Sequence, residues 1–212
     1  MEIKKNRKNI PLFLFVFLFI LFSCKDNSAS NKTTHSHDYQ TGNQEKPGIT
    51  GTESGYKKEF QWTAYKTNRK VPVSGTFKKI SLTNVREDKP LEESLEGAKF
   101  YLDGTTLTSW DTARDGTLIT FFFKRLSSTD ITGSFGKFAN NKVFVFLSLD
   151  GKTVTKEFSY SVKENAVTLK GSIDILKDFD AQKAFTSLHR ACYDLHEGKT
   201  WSEVDLIAKI SR

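Results

Sequence analysis

The stretch "EFQWTAYKTNRKVPVSGTFKKISL", residues 59–82, predicts two neighbouring strands of an antiparallel β-sheet. Apolar and polar residues alternate along both halves, so every second side chain faces the same way. The apolar face carries, in order, Phe60, Trp62, Ala64, Val73, Gly75 and Phe77. The alternation then changes phase to Ile80 and Leu82, which predicts a β-bulge at Lys78 and Lys79.

The same period of two returns in the rest of the chain. Six further segments show it: "GAKFYLDG", "ITGSFGKF", "KVFVFLSLD", "TVTKEFSYSV", "AVTLKGSIDIL" and "WSEVDLIAKI". Turn-forming residues such as "ANNK", "DGK" and "KEN" separate several of these segments, and short connections make neighbouring strands antiparallel. About eight antiparallel strands with one apolar face predict a mainly β domain, either a barrel or a two-sheet sandwich.

Two segments lack this alternation. The first, "SWDTARDGTLITFFFKRL" (residues 109–126), is predicted to form a loop followed by a short helical turn or an irregular strand. The second is predicted to form one helix over residues 181–197, just before the last strand. Its apolar residues recur at helical spacing, namely Phe185, Leu188, Cys192 and Leu195. Asp180 is the predicted N-cap, and Gly198 is the predicted end of the helix.

The N-terminus has the pattern of an export signal. A basic start, "MEIKKNRKN", precedes an apolar run of 14 residues, which is shorter than the about 20 residues that a spanning helix needs. We therefore predict a signal peptide over residues 1–23. The following "LFSC" resembles a bacterial lipobox, with Phe22 in place of the usual small residue, and predicts lipidation of Cys24. An uncleaved anchor and ordinary cleavage are the alternatives.

Residues 24–55 contain few apolar side chains and predict a disordered tether leading from the lipidated cysteine. Residues 56–212 then form one domain. Loss of the signal peptide removes four basic residues and Glu2, which lowers the formal net charge from +7 to +4. The remaining basic residues are scattered, so the chain is not expected to bind nucleic acid. Cys192 would be the remaining free thiol, without an internal disulfide.

The segment "LHRACYDLHEGKTW", residues 188–201, allows three interpretations. Its "GKT" does not form a phosphate loop, because Tyr193 stands where that loop needs a glycine. His189, Cys192 and His196 share one helix face, and these residue types can bind zinc or copper. Cys192 also belongs to the apolar stripe, however, and histidines at the border of such a stripe often form hydrogen bonds across an interface. Packing is therefore the preferred interpretation, and a metal site is the minority one. The "HSH" of the tether is treated as inert.

No arrangement of residues predicts an enzyme. Asp111 and Asp115 flank Arg114 in a pattern more typical of a structural ion pair than of an acid–base pair, and no G-x-S-x-G motif occurs. Several inward positions are small, among them Gly75 and Gly133, and small residues beside large rings can leave a cavity. The residues alone leave a ligand cavity and a packed aromatic core as alternatives.

Four segments resemble the YceI-like family of exported lipid-binding or polyisoprenoid-binding domains. They are "FQWTAYKTNRKVPVSGTFKKISL", "LEGAKFYLDGTTLTSWDTARDGTLITFFFKRLSS", "ITGSF" and "LHRACYDLHEGKTWSEVDLIAKI". The resemblance covers residues 60–212. It rests on Trp62, a V-x-G-x-F strand, an "RD" followed by a Phe run, and a closing apolar strand. The chain departs from plain members in its anchor and tether, and it is shorter between the Phe run and "ITGSF".

The resemblance implies an eight-stranded antiparallel lipocalin-like β-barrel with an apolar chain inside. That chain would be an isoprenoid quinone, a polyisoprenoid or a fatty amide, with no catalytic residues and no other cofactor. We expect the wall of the site to include Phe60, Trp62, Phe77, Phe100, Leu102, Phe122, Phe135, Phe158 and Tyr160. Arg114 is expected to orient the head group.

The expected location is the bacterial cell envelope. There the protein would be an outer-membrane lipoprotein, held in the membrane by Cys24 and facing either the periplasm or the cell surface. The alternative function is an envelope interaction or structural module whose barrel is packed and holds no ligand.

Overall fold

The computed structural model describes residues 51–212, a mainly β domain with ten strands and three α-helices. The strands are β1 (Lys57–Lys66), β2 (Val71–Phe77), β3 (Ile80–Thr83), β4 (Lys99–Asp103), β5 (Leu107–Thr108), β6 (Asp130–Ala139), β7 (Lys142–Leu149), β8 (Lys152–Lys163), β9 (Ala166–Asp174) and β10 (Thr200–Ser211). The helices are α1 (Leu91–Ser94), α2 (Thr112–Phe121) and α3 (Gln182–Ala191). The predicted signal peptide, Cys24 and most of the predicted tether lie outside the described residues.

All ten strands belong to one antiparallel sheet that curls round on itself. Its order is β3-β4-β6-β7-β8-β9-β10-β1-β2-β5. The chain joins the two ends of this order, because β2 continues into β3 through Lys78 and Lys79. At that corner the Lys78 N–H donates to the Thr106 carbonyl at 3.0 Å, and the Asp103 N–H donates to the Lys79 carbonyl at 3.2 Å.

The predicted count of eight strands is therefore wrong, since the structure has ten. Two long segments, β2–β3 and β4–β5, run antiparallel to each other and both break at the same corner. Each broken segment counts as two strands. The phase change that predicted a bulge at Lys78 and Lys79 instead marks the end of one strand and the start of the next.

The predicted turns form tight hairpins. Asn140 and Asn141 connect β6 to β7, both with positive φ (52° and 59°), as a two-residue type I′ turn requires. Asp150 and Gly151 connect β7 to β8 in the same way, with φ of 54° and 77°. These short connections fix the register of the hairpins, so that one face of the sheet points inward along its whole length.

The helices differ from the prediction of a single helix over residues 181–197. Most of the segment predicted to be a loop and short turn is the ten-residue α2. Its N-cap is Asp111, whose carboxylate accepts hydrogen bonds from the N–H groups of Ala113 (3.1 Å) and Arg114 (3.0 Å). α1 was not predicted either. No helix within residues 51–212 is long and apolar enough to span a membrane.

The predicted helix before the last strand is present but shorter than expected. α3 ends at Ala191, and the chain continues through a 3₁₀ turn, Asp194–His196. Glu197 and Gly198 have positive φ (52° and 74°) and end this turn. Asp180 is not the N-cap. It has a φ of 54°, and its carboxylate binds Lys152 at 2.5 Å, so the helix starts after Ala181 without a side-chain cap.

Aromatic rings cover glycines of neighbouring strands on the inner face of the sheet. A methyl group added at Gly75 would lie 2.3 Å from Trp62 Cζ2, and one added at Gly133 would lie 2.2 Å from Phe100 Cζ. At Gly171 the nearest atoms all belong to the ring of Phe158, at 2.6–2.7 Å. In each case the ring occupies the space of a missing side chain and lies against the backbone. These glycines therefore make room for rings in the wall of the sheet.

We predict that Gly171→Ala lowers the free energy of unfolding by about 1–3 kcal/mol, because the Phe158 ring must leave the backbone that it covers. Chemical denaturation of the purified protein measures this change. The matched control is Gly116→Ala in α2, where a methyl group meets no atom within 4 Å. The control should be stabilised by about 0.5–1 kcal/mol, since alanine favours a helix. Equal effects of the two substitutions would contradict the ring-on-glycine interpretation.

Candidate functional site

The curled sheet encloses a cavity of about 510 Å³. Residues of all ten strands form its wall, and residues of α2 and α3 complete it. Along β1 the lining runs from Lys58 to Lys66. Eight residue steps of about 3.3 Å give the lined part of this strand a length of roughly 26 Å. The cavity is therefore elongated and follows the strands.

The structure brings eight of the nine predicted wall residues together around this cavity: Phe60, Trp62, Phe77, Phe100, Leu102, Phe122, Phe135 and Phe158. Tyr160 does not line it. Its ring packs edge-on against Phe138, with ring centroids 5.0 Å apart, in a part of the core beyond the cavity. The alternation along β8 correctly predicted that Tyr160 faces inward. It could not predict how far along the strand the cavity extends. That the eight residues bind a ligand remains a prediction.

Two rows of aromatic rings stand in the wall. Phe60, Phe77 and Phe123 follow one another with ring centroids 5.7 and 5.8 Å apart. In the second row the rings of Phe100 and Phe135 lie 5.2 Å apart. Tilted and edge-on contacts of this kind hold rings in fixed orientations. The rings of the wall therefore support one another.

The helices cover one end of the cavity. Most of the side chains that they place there were not predicted from the sequence to line it. α2 and α3 contact each other and contribute Leu118, Phe185 and Leu188 to the lining, and the 3₁₀ turn after α3 contributes Leu195. Of the predicted apolar stripe, Phe185 and Leu188 lie in α3, whereas Cys192 follows its end and Leu195 of the 3₁₀ turn is 76% exposed. Leu118 was not predicted to line the cavity, because α2 was not predicted as a helix.

Five charged residues line the cavity: Lys58, Glu59, Lys66, Asp111 and Arg114. Four of them are in ion pairs. Lys58 binds Glu53 at 2.5 Å, Glu59 binds Lys57 at 2.6 Å, and Arg114 binds Asp111 at 3.2 Å. Lys66 makes no ion pair and no side-chain hydrogen bond with any residue in the part of the chain that the structure describes. Lys66 was not predicted to line the cavity, although its side chain continues the even-numbered face of Phe60, Trp62 and Ala64.

Arg114, the predicted head-group residue, does reach the cavity. Its guanidinium is held by Asp111, whose carboxylate also caps α2. The other acid of this cluster, Asp115, accepts hydrogen bonds from the backbone N–H and the hydroxyl of Ser109, at 2.7 and 2.6 Å. Both carboxylates thus have structural partners that position α2.

His189 of α3 and His196 of the following 3₁₀ turn share one hydrogen-bond partner. The Nδ1 atoms of His189 and His196 lie 3.1 and 2.9 Å from the hydroxyl of Thr200. Cys192 is buried, and burial raises the pKa of its thiol. Among residues 51–212 there is no group of three or more His, Cys, Asp or Glu side chains that is arranged to hold a metal ion. Of the three candidate ligands, Cys192 and His196 line the cavity, whereas His189 does not.

The electrostatics of this end favour a neutral His196. Burial lowers the pKa of His196, and electrostatic interactions with Lys66 and His189 lower it further. The backbones of Lys66 and Thr200 lie directly opposite each other in the β1–β10 pair. Lys66, His196 and Thr200 therefore form one polar group at the helical end of a mostly apolar cavity.

We predict that Lys66→Gln raises the pKa of His196, although not to its ordinary value, because burial still acts on the ring. NMR titration of the histidine ring protons measures the change. The control is Lys199→Gln, a neighbouring lysine that lies over the Trp201 ring and does not line the cavity. A His196 pKa that responds equally to both substitutions would rule out the specific effect of Lys66.

Comparisons with known proteins identify the fold. No protein-family model matches the chain, and no curated protein matches it in sequence. Among solved structures, BcnA of Burkholderia cenocepacia matches with a TM-score of 0.50 and 18% identity, over 73% of this chain and 96% of that one. A polyisoprenoid binding domain from Saccharophagus degradans, described as implicated in plant cell wall breakdown, matches with a TM-score of 0.51 and 11% identity, over 73% and 93% of the two chains.

A Campylobacter jejuni YceI protein also matches, with a TM-score of 0.48 and 17% identity, over 64% of this chain and 81% of that one. At such identities the likeness concerns the fold. The curled antiparallel sheet of residues 51–212 therefore has the fold of the polyisoprenoid binding domain, which is the lipocalin-like YceI fold that the sequence resemblance predicted.

Proposed function

We propose that this protein binds one long apolar lipid in the cavity of its curled sheet. The observation that carries the proposal is the elongated cavity of about 510 Å³, which is walled almost entirely by aliphatic and aromatic side chains. Ligand pockets typically have volumes of about 300–1,000 Å³ and mostly apolar walls. The polyisoprenoid-binding description of the Saccharophagus degradans domain, which has this fold, supports a chain-like lipid as the ligand. An isoprenoid quinone, a polyisoprenoid and a fatty amide are the candidates.

Burial of the chain would supply the affinity. Each methylene group removed from water contributes about 0.8 kcal/mol, so many such groups outweigh the entropy lost on association. The ligand therefore needs few polar contacts along its length. The fixed rings of the wall add to this, because a preformed cavity does not have to be ordered when the lipid enters.

We propose a binding role rather than a catalytic one. The two acids that line the cavity have partners: Glu59 pairs with Lys57, and Asp111 pairs with Arg114 and caps α2. Burial keeps Cys192 protonated by raising its pKa, and the thiol is a poor nucleophile in that form.

We also propose that the protein is an exported lipoprotein of the bacterial outer membrane. The basic and apolar N-terminus, the "LFSC" sequence and the polar segment over residues 24–55 support this proposal. Lipid on Cys24 would hold the domain at a membrane, on the periplasmic side or at the cell surface. Its cavity would then lie within reach of the lipids of that membrane.

Replacing the predicted lipidation site tests the anchor. In cells, Cys24→Ala should abolish incorporation of labelled palmitate and release the protein from the membrane fraction. Cys192→Ala is the matched control, because it removes a thiol and leaves the anchor intact. Labelling that survives Cys24→Ala would contradict the proposed lipidation.

Lipid binding is tested directly by extracting the purified protein with organic solvent and identifying the extract by mass spectrometry. We expect a long-chain lipid in about one equivalent, or uptake of a quinone or fatty amide when one is offered. A clean extract combined with no uptake would refute the proposal. That result would favour the envelope interaction module, for which the outward-facing Phe144 and Phe146 of β7, 52% and 43% exposed, offer a surface.

Filling the cavity tests whether the lipid lies inside it. Ala208 of β10 lines the cavity, so Ala208→Phe should reduce lipid uptake at little cost in stability. Ala98 is fully buried and lies away from the cavity, so Ala98→Phe should lower the free energy of unfolding by about 1–3 kcal/mol or more. Denaturant titration and the uptake assay compare the two variants. Full lipid uptake by Ala208→Phe would mean that the lipid binds elsewhere.

A further inference from the structure

We propose that the helical end of the cavity is a head-group site for an anionic lipid, with Lys66, His196 and Thr200 facing a phosphate or carboxylate. The inference rests on the proposed function, because it concerns the same cavity and names the chemistry of the head of its ligand. The apolar tail would then run along β1 toward Phe60.

The first argument is the charge of Lys66. The other four charged residues that line the cavity have ionic partners, as described above, and their fields are largely compensated. Lys66 is half-buried, and no residue in the range 51–212 pairs with it. A cation without a partner beside an apolar cavity favours a ligand that brings a negative charge.

The second argument is the sharing of Thr200 by two histidines. A threonine hydroxyl has one proton, so it can donate to only one of the two Nδ1 atoms. The other Nδ1 must carry its own proton and donate to the hydroxyl oxygen. The shorter distance, 2.9 Å, is the one to His196. If Thr200 donates to His196, the proton of this neutral ring is on Nε2, which makes no hydrogen bond to another described side chain.

The third argument is the placement of these groups. Lys66 and Thr200 are opposite each other on adjacent strands, and His196 lies in the 3₁₀ turn that leads into β10. The positive charge of Lys66 is close enough to lower the pKa of His196. An ammonium group and an imidazole N–H at one end of a cavity can both donate to the oxygens of a single acidic head group.

The opposite end of the cavity is a weaker candidate. Lys58 also carries a positive charge there, but the Glu53 carboxylate holds its ammonium at 2.5 Å and also accepts from the Leu82 N–H. On α2, Arg114 also lines the cavity, but its guanidinium is paired with Asp111 at 3.2 Å. A lipid head at either place would have to displace a carboxylate that has a structural role, whereas at Lys66 it would displace none that the structure describes.

The test compares two lipids that differ only in the head. Binding of hexadecyl phosphate and of hexadecanol to the delipidated protein is measured by calorimetry, with inorganic phosphate as a third titrant. We expect hexadecyl phosphate to bind about tenfold more tightly than hexadecanol, as one charge-assisted contact implies. Lys66→Gln should reduce this preference to less than about twofold without changing the affinity for hexadecanol. Lys66→Arg should keep the preference, and so should the matched control Lys199→Gln.

The outcomes separate the two proposals. Hexadecanol binding with no preference for the phosphate would overturn the head-group site and leave the lipid-binding function intact. Equal loss of the preference in Lys66→Gln and Lys199→Gln would also overturn it, because the effect would then be one of net charge. Competition by millimolar inorganic phosphate would identify a small-anion site instead of a lipid head site. Binding of neither lipid would refute the proposed function itself.

Discussion

The contact of an aromatic ring with the backbone of a glycine is the interaction on which the interior of this domain depends. Trp62 over Gly75, Phe100 over Gly133 and Phe158 over Gly171 place large rings flat against neighbouring strands. Trp62 also lines the cavity, and its indole N–H is buried without a hydrogen-bond partner among the described residues. Because the rings occupy the wall, the axis of the curled sheet is left open.

The corner at Lys78 and Lys79 brings the two ends of the sheet together, and the helices cover one end of the cavity. A sheet of ten strands would ordinarily present two free edges, each with unpaired backbone groups. Here the chain crosses directly from β2 to β3, so the two ends of the strand order meet at the corner. α2 and α3 then cover one end of the enclosed space with apolar side chains. The same elements that protect the sheet edges thus define the boundaries of the cavity.

Much of the fold was predictable because the main signals are local. Strand alternation, turn residues and the apolar stripe of α3 each depend on a few neighbouring residues, and each gave the correct element. α2 was missed because its polar sequence, with Gly116 at its centre, gains its position from Asp111 and from contacts with α3. The break at the corner was taken for a bulge, since a phase change alone does not say whether the strand continues.

The candidate site was predictable in the same limited sense. Alternation gave the inward face correctly, and so eight of nine wall residues reach the cavity. Alternation could not show how far along each strand the cavity extends, and Tyr160 was therefore wrongly predicted to line it. Nor could it show that the small residues hold rings instead of leaving space, because that depends on which strands are neighbours. Lys66 was within reach of the same pattern, but a lysine at the end of a strand is usually solvated.

Cys192 gives the cavity an internal reporter. Its sulfur lines the cavity and is otherwise buried, and it is the free thiol of the described domain. A thiol reagent that enters the cavity to modify Cys192 occupies part of the volume that a lipid would fill. The rate at which this single sulfur is alkylated would therefore measure how often the interior is vacant, without any label being introduced into the protein.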